Sequence, residues 1–193
     1  VVGVVPASAV AAGSLTALID GAARPSSGTV RVAGRLLVEP HAVHLFGATL
    51  REALLVGDRA DDAHLDDALG AVALNDLAGA VPDLGHPLTD HGLNLSGGQR
   101  QRIAMARALL ADAPILVLRD PTTAVDAVTE ARMAEGIRRY RARPRRITVV
   151  VTTSPPLLAG CDRVVFVAPD GACTTATHAG LVADPAYAEL VLR

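Results

Sequence analysis

The chain contains no lysine; all eighteen of its basic residues are arginine. That absence removes the ammonium group on which phosphate-binding loops of the form GxxxxGK[ST] rely. Aromatic residues make up only 2%, so a core has to be assembled from Val, Leu, Ile and Ala. Neither sign of charge is in excess: the net charge is -2 and the pI about 6.3, which argues against a general nucleic-acid binder. Two cysteines, Cys161 and Cys173, match no metal-ligand spacing and point to a reducing compartment. Val1 to Ile19 carries no charge, and Ala7 to Ala9 resembles a signal-peptide cleavage site. There is no initiator Met and no basic n-region, however, and Pro6 interrupts the apolar run, so a strand, loop and helix suit it better. No other stretch approaches the ~20 apolar residues of a membrane span. The abrupt start on Val1 suggests a fragment of a longer polypeptide.

What is present is a run of buried-strand signals. VVGVV (1–5), ILVL (115–118), ITVVV (147–151) and RVVFV (163–167) are β-branched and bounded by Pro, Gly, Asp or Thr. Helical segments near 14–22, 98–111 and 127–142 alternate with them, which implies an α/β fold with a parallel sheet and right-handed crossovers. SSGTVRVAG (26–34) reads as a turn and edge strand, and APDGACTTAT (168–177) as a late hairpin that gives a small antiparallel edge. Residues 48–112 have helical periodicity and no strand signal. The expectation is one domain over 1–193, with a core lobe at 1–47 and 113–193 and an inserted all-helical lobe at 48–112. Asp58, Asp61, Asp62, Asp66 and Asp67 in that lobe read as a solvated helix start, with a metal site as the alternative. The run Arg138, Arg139, Arg141, Arg143, Arg145 and Arg146 reads as a solvated helix C-terminus rather than a nucleic-acid surface.

The most specific stretch is NLSGGQRQRIAMARALL, Asn94 to Leu110. Ser96, Gly97, Gly98 and Gln99 precede an amphipathic helix whose apolar face runs through Ile103, Met105, Ala106, Leu109 and Leu110. Two glycines let a ligand come close to the backbone, and unpaired N–H groups at a helix start attract anions. Ser96 can cap the helix and also donate to a phosphate.

Leu95 to Arg102 resembles the signature motif of ABC-type ATPases. PILVLRDPTTAVD (114–126) resembles that family's strand-borne acidic motif and the D-loop after it. HLFGATLREAL (44–54) and GLVADPAYAELVLR (180–193) are similar to exporter-type segments, so the resemblance covers nearly the whole chain. It implies a P-loop NTPase-like, RecA-like sheet core. It also identifies where the pattern is broken. The phosphate loop falls on PASAVAAGS, Pro6 to Ser14. Pro6 then stands for the first glycine, Ala12 for the lysine, and Gly13, beside Ser14, for the magnesium-binding hydroxyl. Arg119 occupies the position of the magnesium-orienting aspartate and Asp120 that of the catalytic glutamate. His41 aligns with the family's glutamine, and Thr153 with the switch-loop histidine. The signature and the D-loop, Asp126 included, are whole.

In the family, two such domains associate head to tail, and each ATP lies between the phosphate loop of one and the signature of the other. The resemblance therefore implies a degenerate, exporter-type domain. It would give Ser96, Gly97, Gly98 and Gln99 in trans to a partner domain in an asymmetric heterodimer attached to a membrane-spanning domain at the cytoplasmic face. ATP would be shared with the partner, with Mg2+ in the partner's site, and turnover would take place there. Two alternatives stand. One is a competent ATPase in which Arg119 grips phosphate in place of lysine and magnesium, the plainer role of Arg119 being an ion pair with Asp120 or Asp126. The other is a non-catalytic scaffold or regulatory module. His91 lies where exporter-type domains face the membrane helices, and His178 reads as structural.

Overall fold

The structure is a computed structural model and describes residues 1–39, 44–55, 62–74, 84–90 and 92–192. Its backbone contacts fall into two units. Val1–Glu39, Ala113–Asp120 and Pro144–Arg193 form one, and Pro40–Asp112 with Pro121–Arg143 the other.

The first unit is built on a sheet of β1 (Val2–Pro6), β2 (Leu36–Glu39), β3 (Ile115–Arg119), β4 (Ile147–Val151), β5 (Arg163–Val167) and β6 (Cys173–Ala176), in the order β2-β3-β4-β1-β5-β6. Every pairing is parallel except β5 with β6. Leu116, Val117 and Leu118 of β3 are fully buried in succession. An apolar run without alternation is what a strand covered on both faces requires, and each such side chain contributes about 1.5–3 kcal/mol as an upper estimate. Helix α1 (Ala9–Asp20) lays Ala12, Leu15 and Ile19 over Val4, Val117 and Val151. Val5 joins a second cluster with Leu158, Val164, Phe166, Leu181 and Tyr187. That cluster draws on α6 (Pro155–Ala159), α7 (His178–Leu181) and α8 (Pro185–Val191). Tyr187, wholly buried, meets Phe166 edge-on at 5.5 Å and shares a 2.8 Å hydrogen bond with His178 Nδ1.

Strands lie within a residue of the four apolar runs, and residues 173–176 return antiparallel on β5. The edge strand expected at 26–34 is not there: these residues form no strand, and the sheet edge is Leu36–Glu39 instead. Val30 and Val32 alternate as a strand would, but they are 46% and 40% exposed and have no ladder to join. Leu36–Glu39 pairs residue by residue with Ile115–Leu118.

The second unit holds α2 (Leu50–Leu54), α3 (Asp62–Ala71), α4 (Gly97–Leu110) and α5 (Ala127–Arg141). Among the described residues of 48–112 the only β pairing is an isolated bridge, Thr49 with Pro87. Helices α3 and α5 meet at Gly136, where an added Cβ would sit 2.2 Å from the carbonyl oxygen of Ala71, so only glycine permits the approach. Among the described residues no helix is long and apolar enough to cross a membrane.

Candidate functional site

In the sheet unit, β3, β4 and β1 are consecutive and parallel, so Arg119, Val151 and Pro6 finish at one edge. This is the carboxyl edge at which open α/β sheets bind ligands. The residues after β1 form no open loop. Helix α1 starts at Ala9, behind Ser8, whose side chain accepts from the Ala11 N–H, and the Ala12 N–H donates to the Ser8 carbonyl at 2.9 Å. Two donors that a phosphate cradle would present are thereby engaged in helix formation. The sequence pattern predicts this helix at 14–22; it begins five residues earlier because Ser8 caps it and no glycine between 8 and 12 favours a loop. Ala12 is 7% exposed and faces the core, Val10 is 80% exposed, and Ser14 lies exposed on α1.

Arg119 extends from the end of β3 across α1. Its Nη2 donates to the Ala9 carbonyl at 3.4 Å, and a Cβ added to Gly13 would lie 3.6 Å from Nη1. The hydrogen bond thus goes to backbone, whereas the sequence pointed to a pairing with Asp120 or Asp126. Arg119 Nε is buried without a hydrogen-bond partner. Asp120 has a left-handed φ of 44°, strained for a side-chain-bearing residue, and its N–H donates to the Val151 carbonyl at 2.9 Å. Beyond β4, Thr152 is buried, with its hydroxyl accepting from the Ser154 N–H at 3.1 Å, while Thr153 is exposed. A divalent cation needs oxygen ligands. Here the position expected to give a hydroxyl has no side chain, and a guanidinium lies beside it. At about 5 Å and an effective dielectric near 20, that guanidinium repels a divalent ion by several kcal/mol, gross. These residues do not suit magnesium.

The helical unit carries a differently made helix start. Ser96 caps α4, and the capping is reciprocal. Its Oγ accepts from the Gln99 N–H at 3.2 Å, while the Ser96 N–H donates to Gln99 Oε1 at 2.7 Å. Ser96 and Gly97 are exposed, and the N–H groups of Gly97 and Gly98 fall in the first turn, where no intrahelical acceptor exists. The serine hydroxyl proton is left to donate outward. The two arginines of the motif hold carbonyls: Arg100 Nη1 donates to Leu95 O at 2.7 Å, Arg102 Nε to Gly98 O at 3.2 Å, and Arg102 Nη1 to Ala73 O at 3.0 Å. Burial pushes the Arg102 pKa down, and the Asp126 carboxylate opposes that shift.

The D-loop turn is fixed against this helix. A Cβ added to Gly98 would sit 2.6 Å from the carbonyl oxygen of Ala124. Gln101, 7% exposed, accepts from the Ala124 N–H at 2.9 Å and donates to Thr123 Oγ1 at 3.0 Å. Thr122 Oγ1 donates to Glu130, and Asp126 caps α5 by accepting from the Val128 and Thr129 N–H groups. The Thr129 amide, first, holds the Asp126 carboxyl below its ordinary pKa. Sequence reasoning missed Gln101 and Arg102. The available signal was positional: 101, 105 and 108, like 102, 106 and 109, lie on one helical stripe, so polar residues head both buried rows.

His41, His91, Asp58 and Asp61 lie outside the described residues. Asp66 and Asp67 are exposed on α3, and among the described residues no group of His, Cys, Asp or Glu is arranged to hold a metal.

A family model described as "ABC transporter" matches residues 13–123, more than half of the chain. Among curated proteins, the chain is 30% identical over 86% of its length to the glutathione/L-cysteine transport system ATP-binding/permease protein CydD of Bacillus subtilis, covering 31% of that protein. It is 32% identical over 90% of its length to an ATP-dependent lipid A-core flippase of Paraburkholderia xenovorans, covering 29% of it. The chain thus spans less than a third of the length of these relatives. Among solved structures, a bacterial Atm1-family ABC exporter with ATP bound superposes on the whole chain with a TM-score of 0.84, at 24% identity and covering 36% of that exporter chain. At that identity the likeness concerns the fold.

Proposed function

The chain belongs to the ABC transporter family, and from that footing we propose that it is the degenerate nucleotide-binding domain of an asymmetric, exporter-type transporter. It completes a partner domain's ATP site in trans. Ser96, Gly97, Gly98 and Gln99 supply the hydroxyl and the helix-start amides that face the partner's triphosphate, and Asp126 orders the D-loop beside them. Its own cis face, with Ala12, Gly13, Ser14, His41, Asp120 and Thr153 at the family's positions, binds nucleotide weakly or holds it without turnover. Mg2+ and hydrolysis belong to the partner's site. A membrane-spanning domain is the second partner, as the ATP-binding/permease names and the exporter among the similar proteins suggest, and the domain works at the cytoplasmic face of the membrane.

The observation that carries this reading is the early start of α1. Ser8 as its cap and Ala12 turned into the core engage the first-turn amides in the helix, and Arg119 reaches the Ala9 carbonyl close to Gly13, which supports a weak cis face. The test is titration of the purified chain with Mg-ATP. Absence of micromolar binding and of steady hydrolysis is expected; micromolar binding with sustained turnover would overturn the proposal.

A competent ATPase in which Arg119 replaces lysine and magnesium is the second reading, favoured by the unpartnered Arg119 Nε. The tether of Nη2 to Ala9 argues against it. Arg119→Ala discriminates: an unchanged nucleotide affinity dismisses the compensating role, and a fall of about tenfold supports it.

A further inference from the structure

We propose that Gln101 is a positioning residue that joins the signature turn to the D-loop, so that both are presented to the partner's nucleotide as one rigid piece. The inference rests on the trans role proposed above.

Three contacts define the joint. Gln101 Oε1 accepts from the Ala124 N–H at 2.9 Å, and Gln101 Nε2 donates to Thr123 Oγ1 at 3.0 Å. At Gly98 the helix backbone comes so close to the Ala124 carbonyl that an added Cβ would stand 2.6 Å from its oxygen. Gln101 lies one helical turn beyond Gly97 on the stripe that continues through Met105 and Ala108, so its amide is held by core packing on its own helix. The D-loop residues it grips are held much less. Thr123 and Ala124 are exposed, and between the anchored Thr122 and Asp126 the turn has one backbone bond of its own, Val125 N–H to the Thr122 carbonyl at 3.0 Å. An exposed turn with one internal hydrogen bond samples many conformations. Two bonds from a buried, pre-set amide remove that freedom on the side facing Gly97 and Gly98. Glutamine suits the task because one planar group both donates and accepts.

The experiment uses the assembled transporter with Gln101→Met, which keeps the volume and loses both bonds, and Gln101→Glu, which can still accept from Ala124 N–H and from the Thr123 hydroxyl. In the Met variant, amide exchange at Ala124 should speed up about tenfold or more while α4 from Ile103 onward keeps its protection. The kcat for ATP should fall about fivefold, with KM within about twofold. The Glu variant should recover most of both. Unchanged exchange at Ala124, faster exchange along all of α4, or faster exchange at Ala124 with unaltered kcat would each overturn the proposal. Should the Met variant fail to accumulate, Thr123→Val at its exposed position removes one bond, and Ala124 exchange equal to that of the parent would count against the joint. Ser96→Ala without effect on turnover would remove the trans role, while Ala124 exchange would still decide independently whether Gln101 holds the turn.

Discussion

Helix α1 and helix α4 both start behind a serine whose hydroxyl accepts from the amide three residues on, Ser8 from Ala11 and Ser96 from Gln99. Both therefore present the positive end of a helix dipole. They differ in the residues after the cap. Beyond Ser8 come Ala9, Val10, Ala11 and Ala12, which place side chains around the amides, turn Ala12 into the core, and leave the first turn without charge. Beyond Ser96 come Gly97 and Gly98, a glutamine that completes the capping box, and arginines that pin the surrounding carbonyls. A helix start attracts anions, and bare glycine backbone lets a ligand approach its amides more closely. Beneath α1 the core is closely packed, with Ala12 against Val4, Val117 and Val151.

Substitutions at the two helix starts should have different consequences. The largest effect is expected from Gly98→Ala, which drives a methyl into the Ala124 carbonyl and should cost about 2–3 kcal/mol in chemical denaturation, whereas Gly97→Ala, 3.6 Å from the Ala124 Cβ, should stay within about 0.5 kcal/mol. Equal costs at the two positions would mean that the close approach is not real. Next comes Ala12→Lys. Restoring the family's lysine to a 7% exposed position forces an ammonium into the apolar cluster under α1, so stability should drop by about 2 kcal/mol with no gain in Mg-ATP affinity. A gain in affinity would show that the loop can still open.

Packing of the sheet unit is tested by its two thiols. Burial pushes Cys161 up to about 11, and its Sγ donates to the Leu157 carbonyl, while Cys173 is exposed. At pH 8 Cys173 should react with a thiol reagent about 100 times faster than Cys161, and the difference should vanish in denaturant. Similar native rates would indicate a loosened core. The smallest effect concerns Asp126. Its folded pKa is depressed by the Thr129 amide, so its capping contribution is present above the unfolded carboxylate pKa and is lost as pH falls through the lower folded value. Amide exchange at Val128 and Thr129, corrected for the intrinsic pH dependence, should therefore show less protection at acid pH in the parent and no such change in Asp126→Asn.

Much of the fold was legible in the sequence because buried parallel strands need unbroken β-branched runs, and 115–118, 147–151 and 163–167 are that. The edge strand was misplaced because TVRV alternates convincingly, whereas Leu36–Glu39 is defined by its long-range pairing with β3, which no local pattern reveals. The signature turn could be read since Ser-Gly-Gly-Gln spells out cap, access and capping box in one stretch. The start of α1 could not, because residues 9–13 are uniformly apolar or glycine and show no helical period, which leaves the start to the capping residue Ser8. Gln101 and Gly136 act through Ala124 and Ala71, partners 23 and 65 positions away in the chain, and such contacts appear only once the helices are packed.

In the proposed role, the signature region of this chain serves a nucleotide held by another domain. The most direct test of that role is the ATPase rate of the assembled pair with Ser96→Ala here, set beside the matching serine change in the partner. A loss of about tenfold or more is expected from Ser96→Ala and little from the partner's change; a loss confined to the partner's change would contradict this role.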